Sequence, residues 1–183
     1  MSRYRIRPAT PEDLPALAAA NIACWRETYG ALLPAEFFQA LENDPHYSLD
    51  HWKELLIRWQ ILLVEGAAES TSAREIAGFV LFGDSSGTLP GFDAQIEKLY
   101  LRKAAQGAGL GRTLMRAAAS HLFDQGRRSL IIWMIDQNEL AKRFYERLGG
   151  VRVGEPLPFT IGRLELHEIA FGWDHLAPLA TAK

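Results

Sequence analysis

Residues 106–111 read Gln106-Gly107-Ala108-Gly109-Leu110-Gly111 and stand between a predicted strand and a predicted helix. Because glycine lacks a Cβ atom, alternate glycines let the backbone turn tightly and approach a ligand closely. The amide N–H groups that such a turn exposes, together with the positive end of the helix dipole, bind phosphate oxygens. The segment therefore predicts a phosphate-binding loop, and a glycine loop that only caps a helix is the structural alternative.

Two familiar phosphate-binding motifs do not fit this segment. A dinucleotide fingerprint starting at Gly107 requires glycine at position 112, which is Arg112. A P-loop requires Gly-Lys-Ser/Thr, whereas the chain has Gly111-Arg112-Thr113, and its first glycine would fall on Gln106. A nucleotide-binding module with a degenerate P-loop stays as a rival interpretation.

Length and composition indicate an ordinary globular protein. The chain has 183 residues, of which 48% are hydrophobic and 23% are charged, and this predicts one domain over residues 1–183 with a core from about 4 to 173. The net charge of -2 offers no general attraction to nucleic acid or to anionic membranes. Cys24 stands alone and no histidine pair has metal-ligand spacing, so neither a disulfide nor a metal is expected. No run approaches the roughly 20 apolar residues of a membrane span, and a cytoplasmic location is expected by default.

Hydrophobic spacing and local start and stop signals predict the order of strands and helices. Thr10 and Pro11 resemble the N-cap and first residue of a helix, and Ser48 resembles the N-cap of a later one. The last two predicted strands are joined by a loop that contains Pro156, Pro158 and Gly162. The predicted strands are residues 4–8, 60–65, 75–82, 94–101, 129–135, 151–155 and 163–173, and the predicted helices are residues 11–29, 34–41, 48–59, 109–125 and 139–148.

Two sequence blocks carry a resemblance to a known family. The glycine segment fits the pattern Gln/Arg-x-x-Gly-x-Gly/Ala through Gln106, Gly109 and Gly111. Residues 138–149 fit the pattern Asn-x-x-Ala-x-x-Phe-Tyr-x-x-x-Gly. With the matching order of strands and helices, the chain from residue 4 to about 173 resembles the GNAT N-acetyltransferases. Residues 25–29 resemble a Trp-x-x-Thr-Tyr segment found in a bacterial subset of that family.

The chain departs from the family pattern at two positions. Lys103 stands where the segment before the glycine loop commonly has proline, and Gly150 stands where an aromatic residue often follows Gly149. Neither position is among the residues expected to bind the cofactor or to transfer a proton. The departures therefore put local packing in question more than the choice of cofactor.

The resemblance implies a fold, a cofactor and a reaction. The implied fold is α/β (α+β), with a mixed, mostly antiparallel twisted sheet of about seven strands flanked by helices and splayed between strands four and five. The implied donor is acetyl-CoA, and the implied function is acetyl transfer to a primary amine of a small molecule in a ternary complex. Acetylation of a protein or peptide amine and a non-catalytic CoA-binding sensor are the alternatives. Neither nucleic acid nor a membrane is expected as a partner. The sequence leaves open whether the protein forms a homodimer.

The resemblance also implies the residues that bind the cofactor and transfer protons. The edge of strand 94–101 would pair with the pantetheine arm, and the loop with the helix start would hold the diphosphate. Tyr145 would protonate the departing thiolate, and Glu97 is the candidate base, with a solvated strand carboxylate as the alternative. The expected cofactor contacts are Leu99, Tyr100, Leu101, Gln106, Gly107, Ala108, Gly109, Leu110, Gly111, Arg112, Asn138, Ala141 and Phe144.

The acceptor is less specified by the sequence. Trp25 and Tyr29 could contact an aliphatic amine and Glu27 could bind its charge. The alternative is that Trp25 is a core residue and Glu27 a surface acid. His167 with Glu168, and Asp93, are lesser candidates.

Overall fold

The protein is described by a computed structural model over residues 3–43, 49–67, 74–161 and 164–181. The predicted cap Ser48 and the loop residue Gly162 lie outside these ranges. The strands are β1 (Tyr4–Pro8), β2 (Gln60–Ala67), β3 (Arg74–Asp84), β4 (Ala94–Leu101), β5 (Leu130–Ile135), β6 (Val151–Ile161) and β7 (Leu164–Trp173). The helices are α1 (Leu14–Tyr29), α2 (Ala35–Asn43), α3 (Leu49–Arg58), α4 (Leu110–Asp124), α5 (Glu139–Arg147) and α6 (Ala177–Thr181).

The strands form a seven-stranded sheet in the order β1-β2-β3-β4-β5-β7-β6. The pairs β1–β2, β5–β7 and β6–β7 are antiparallel, whereas β4 and β5 are parallel. This arrangement confirms the predicted α/β class with a mostly antiparallel sheet flanked by helices. None of the helices in the described part of the chain is both long enough and apolar enough to cross a membrane.

The parallel pair β4–β5 is short. Its register runs from Ala94 opposite Leu130 to Ile96 opposite Ile132, while β4 itself continues to Leu101. Hydrogen bonds join the two strands where they begin, because the Asp93 carboxylate accepts bonds from the N–H groups of Arg128 and Ser129, each at 2.9 Å. The strands are therefore tied together at their start and stop pairing after three residues.

Contacts between Cα atoms group the chain into two compact units. The first unit comprises Met1–Leu81 with Leu99–Leu114, and the second comprises Phe82–Lys98 with Met115–Lys183. The prediction of one domain stays a prediction. The core of the first unit contains the buried residues Leu14, Leu17, Trp52, Leu55, Trp59, Ile61, Leu63, Phe79 and Leu81.

The structure corrects the prediction for residues 156–161. The expected loop is instead the second half of β6, which continues to Ile161 after an irregularity in register between Val153 and Leu157. Proline is tolerated here because β6 is an edge strand, where a missing N–H need not break a ladder bond. Gly154 takes a φ of +65° within the irregular segment, a conformation that glycine adopts without strain.

The start of the first helix differs in detail from the prediction. Residues Pro11–Asp13 form one turn of 3-10 helix, and α1 begins at Leu14. Thr10 and Asp13 form the reciprocal contacts of a capping box, with the Thr10 N–H donating to Asp13 Oδ2 at 2.8 Å. The predicted cap is therefore confirmed. The short helix α6 was not predicted, because five residues give too little periodicity to recognise.

Candidate active site

The glycine segment has the backbone conformation that its sequence predicts. Gly107 and Gly109 have φ angles of +79° and +78°, which side-chain-bearing residues rarely adopt. Helix α4 begins at Leu110, and the Thr113 N–H donates to Gly109 O at 3.1 Å. The first-turn N–H groups, including that of Arg112, have no partner within the helix, and residues 106–109 are exposed. The loop can therefore hold an anion at the helix start.

The backbone N–H and C=O groups of successive residues in β4 point alternately toward β3 and away from it. The Arg102 N–H donates to Ala77 O at 2.8 Å, and a Cβ placed on Gly78 would lie only 2.7 Å from Tyr100 O. Because backbone groups alternate along a strand, the N–H groups of Leu99 and Leu101 point away from β3. An extended ligand could pair with those groups as an added strand does.

Tyr100 is oriented differently from its two neighbours. Its carbonyl lies on the β3 side of the strand, and its ring lies 5.8 Å from the ring of Phe79 and 6.5 Å from that of Trp25.

The carbonyl of Leu101 contacts the glycine segment. Gln106 donates from Nε2 to Leu101 O at 3.2 Å. Leu101 therefore uses its carbonyl to hold the loop, while its N–H stays on the side away from β3.

In the second unit, the strand register places Glu97 and Glu168 on the same face of the sheet. Ile96, Ile132 and Phe171 stand opposite one another across β4, β5 and β7, and all three are buried. Glu97 is one residue from Ile96 and Glu168 is three residues from Phe171. Because side chains alternate between faces along a strand, both carboxylates project from the face opposite to these residues.

The two carboxylates have different surroundings. Gln95 Nε2 donates to Glu97 Oε2 at 2.9 Å, and Lys98 Nζ lies 3.9 Å from Glu97 Oε1. Burial raises the pKa of the Glu168 carboxyl, the charge of Glu97 raises it further, and the charge of Lys98 lowers it. Glu168, a lesser candidate from the sequence, therefore has a pKa above the ordinary value of a glutamate carboxyl, which suits a general base.

Tyr145 lies on the other face. The residue is 4% exposed, and its ring packs 5.8 Å from that of Phe171 and 6.1 Å from that of Trp173, measured between ring centroids. The ring of Phe144 lies 5.3 Å from that of Tyr145. Both aromatic residues of the second block therefore stand together on α5, and Tyr145 is the buried one.

Both ends of α5 have the local features that the sequence indicates. The Asn138 side chain caps the helix by accepting from the Ala141 N–H at 3.1 Å. Gly149 has a φ of +81°, and the Gly150 N–H donates to Tyr145 O at 2.9 Å, which closes the helix in a Schellman arrangement. A Cβ on Gly150 would lie 2.7 Å from Trp173, so this departure from the family pattern has a packing reason.

The residues predicted for the acceptor side lie in α1. The ring of Trp25 lies 5.1 Å from that of Tyr29 and 6.0 Å from that of Phe37, and Tyr29 is buried. Glu27 is already engaged, since its carboxylate contacts Arg102 and the N–H of Lys103. Burial raises the pKa of Cys24 to about 12, and the charge of Glu27 adds to the effect, so this thiol stays protonated.

Two features were not found from the sequence. Trp133 is paired with Ala170, which places it on the same face as Glu97 and Glu168. Arg102 is the partner of Glu27. Both depend on residues far apart in the chain, and no local pattern signals either contact.

An open strand edge that leads into a glycine loop at a helix start is the arrangement of a class of α/β proteins, in which a phosphate-bearing cofactor can pair with the strand and place its phosphates at the loop. The sequence pattern of the Acetyltransferase (GNAT) family matches residues 19–150. The chain belongs to this family, and it is an N-acetyltransferase with acetyl-CoA as its donor.

The chain is also similar in sequence or in fold to individual N-acetyltransferases. The chain is 28% identical over 177 residues to "Uncharacterized N-acetyltransferase YuaI" of Bacillus subtilis, covering 96% of each chain. Its fold is similar to that of the PaiA N-acetyltransferase from Thermoplasma acidophilum in complex with coenzyme A, with a TM-score of 0.70, 20% identity, and coverage of 93% and 98% of the two chains. It is also similar to an N-acetyltransferase from Staphylococcus aureus Mu50, with a TM-score of 0.68, 19% identity, and coverage of 96% and 99%.

Proposed function

We propose that the protein transfers the acetyl group of acetyl-CoA directly to a primary amine of a small molecule, such as a polyamine or an amino acid. The observation that supports this proposal is the division of proton-transfer groups between the two faces of the sheet. Glu97 and Glu168 project from one face and Tyr145 packs against the other, beside the place where β4 stops pairing with β5. A base can then act on the incoming amine while an acid acts on the departing sulfur.

We assign the donor to the backbone of β4 and to the glycine loop. The exposed edge of β4 over residues 99–101 binds the pantetheine arm, and residues 106–112 bind the diphosphate. Residues Asn138, Ala141 and Phe144 of the second block are cofactor contacts that the family resemblance implies. When bound, acetyl-CoA supplies the thioester whose carbon accepts the amine.

The reaction requires an unprotonated amine. An alkylamine with a pKa of about 10.4 is neutral in roughly one molecule in a thousand near pH 7.4, a deficit of about 4 kcal/mol. A carboxylate of the pair Glu97 and Glu168 takes the proton, directly or through water. The amine nitrogen then bonds to the thioester carbon, and the Leu101 N–H stabilises the resulting oxyanion.

The second half of the reaction breaks the bond between carbon and sulfur. The oxyanion collapses to the amide carbonyl, and the electron pair of the broken bond leaves with the sulfur as thiolate. Tyr145 donates its hydroxyl proton to the thiolate. The nitrogen loses its remaining extra proton to water, which leaves the acetylated amine and free CoA as products. The carboxylate releases its proton to solvent and Tyr145 regains one, so one proton is released per turnover.

A panel of amines with acetyl-CoA, assayed by the release of free thiol, tests this proposal. We expect turnover with at least one small amine and weaker turnover with propionyl-CoA. Acetylation of peptide amines alone would contradict the small-molecule acceptor, and CoA binding with no acetylation of any amine would favour a sensor.

We also propose that the protein acts in the cytoplasm.

Substitution of Tyr145 by Phe tests the acid. We expect kcat to fall by one to two orders of magnitude because the thiolate then leaves without a proton donor. The Kd for CoA should stay unchanged, since the ring and its packing are kept. Arg147→Lys, at an exposed position of the same helix, is the control. An unchanged kcat in Tyr145→Phe would remove the acid role.

A further inference from the structure

The carboxylate of Glu27 binds the chain just before the glycine loop. Arg102 donates from Nε to Glu27 Oε1 at 2.8 Å, and its Nη2 lies 2.8 Å from the same oxygen. The other oxygen, Oε2, accepts the backbone N–H of Lys103 at 2.6 Å. Both oxygens of the carboxylate are therefore used on this turn, although Glu27 precedes it by 75 residues.

The turn that Glu27 holds leads directly into the loop. Lys103–Ala105 form one turn of 3-10 helix, closed by bonds from Ala105 N to Arg102 O and from Gln106 N to Lys103 O. The Glu27 carboxylate lies at the N-terminal end of this turn, where an anion stabilises free N–H groups. The position of Lys103 therefore determines how the chain enters the glycine loop at Gly107.

Lys103 is one of the two departures from the family pattern. A proline at this position has no N–H to donate, whereas Lys103 supplies the N–H that Glu27 accepts. Proline would restrict the same turn by its ring, since Lys103 is the first residue of the 3-10 turn and Arg102 is extended, with φ −56° and ψ 143°. The Glu27 hydrogen bond and a proline ring are two ways to fix one segment of backbone.

We propose that Glu27 is a positioning residue for the donor: it holds Arg102 and Lys103 so that the glycine loop is ordered before acetyl-CoA binds. This inference rests on the proposed assignment of the loop to the diphosphate. It differs from the expectation that Glu27 binds the charge of the acceptor. An ammonium ion would have to compete with the Arg102 guanidinium for the same carboxylate.

The test compares CoA affinity and acceptor kinetics in four variants: Glu27→Ala, Glu27→Gln, Lys103→Pro and the double variant Glu27→Ala with Lys103→Pro. We expect Glu27→Ala to raise the Kd for CoA by about tenfold, measured by calorimetry, because binding must then also order the loop. Glu27→Gln keeps an acceptor for the Lys103 N–H and should lose about threefold. The KM for the amine and kcat should change by less than about twofold, since these reflect acceptor binding and chemistry.

The double variant separates positioning from a general loss of structure. If Glu27 acts through Lys103, the proline should restore the Kd for CoA to within about threefold of the parent, because its ring restricts the turn without the carboxylate. Glu54→Ala, at an exposed site on α3, should leave all values unchanged. If Glu27→Ala does not fold, Glu27→Gln and Lys103→Pro alone still carry the test.

Two outcomes would overturn the inference. A raised KM for the amine with an unchanged Kd for CoA would show that Glu27 binds the acceptor. A double variant as weak as Glu27→Ala would show that the loop does not depend on the Lys103 turn. Failure of the parent protein to bind CoA at all would instead contradict the assignment of the loop, and so the proposed function.

Discussion

Glu168 contributes less to stability when it is charged than when it is protonated. Burial raises the pKa of its carboxyl, and the nearby charge of Glu97 adds to the rise. Because the folded-state pKa lies above the unfolded value, the native state binds this proton more tightly between the two values. Stability therefore falls as pH rises through that window, and the cost persists near pH 7. Such a cost is typical of a functional carboxylate.

Replacing Glu168 by Gln should raise stability while lowering activity. In urea unfolding near pH 7 we expect the variant to be more stable than the parent, because the partly buried charge is gone. The difference should vanish below about pH 4, where the parent carboxyl is protonated in both states. In the parent, kcat/KM should fall on the acid side with an apparent pKa above that of an ordinary carboxyl. In the variant, this fall should be lost or should occur at a different pH.

The matched control is Glu165→Gln, at an exposed position on the same strand. It should change neither the stability nor the pH profile. A parent-like pH profile in Glu168→Gln, with the acid limb lost in Glu97→Gln, would assign the base to Glu97 instead. The proposed acetyl transfer would stand in that case.

At the scale of elements, Asp93 joins the starts of β4 and β5. Its carboxylate accepts the N–H groups of Arg128 and Ser129, and its own N–H donates to Ser129 Oγ at 3.0 Å. Burial favours the neutral carboxyl, but these hydrogen bonds outweigh it and lower the pKa of Asp93 below its ordinary value. The two strands are held where they pair, three residues before the pairing ends at Ile96.

Substitution of Asp93 by Ala should lower the free energy of unfolding by about 2–3 kcal/mol, since partly buried N–H groups lose their acceptor. Asp93→Asn keeps one oxygen and should lose less. Asp84→Ala is the control, because the Asp84 carboxylate pairs with Arg127 at the surface and is 71% exposed. Its loss should be within about 1 kcal/mol. Equal losses for Asp93→Ala and Asp84→Ala, measured in urea, would contradict the structural role of Asp93.

At the scale of the whole molecule, donor binding should stabilise the fold by mass action. A ligand that binds only the native state at one hundred times its Kd adds about 2.7 kcal/mol. We expect acetyl-CoA to raise the midpoint of thermal unfolding and Mg-ATP to leave it unchanged. Protection by Mg-ATP and not by acetyl-CoA would support the degenerate P-loop instead. One transition with coincident fluorescence and circular dichroism would support the predicted single domain.

The sequence by itself determined the features that depend on neighbouring residues. The positive φ angles of Gly107 and Gly109, the Asn138 cap and the helix end at Gly149 all follow from residue types within a few positions of one another. Turn and cap geometry is local, because it involves hydrogen bonds between residues three to five apart. The two blocks that carry the family resemblance, residues 106–111 and 138–149, lie within the range that the family pattern matches.

Only the tertiary structure decided what residues far apart do together. The pairing of Glu168 with Ile135, and so the face it shares with Glu97, depends on strand register, where a slip of one residue reverses every side chain. The continuation of β6 past its prolines depends on its place at the sheet edge. Glu27 reads as a surface acid or an acceptor contact until the fold brings Arg102 and Lys103 to it. Contacts of this kind are set by packing across the molecule, and no local pattern encodes them.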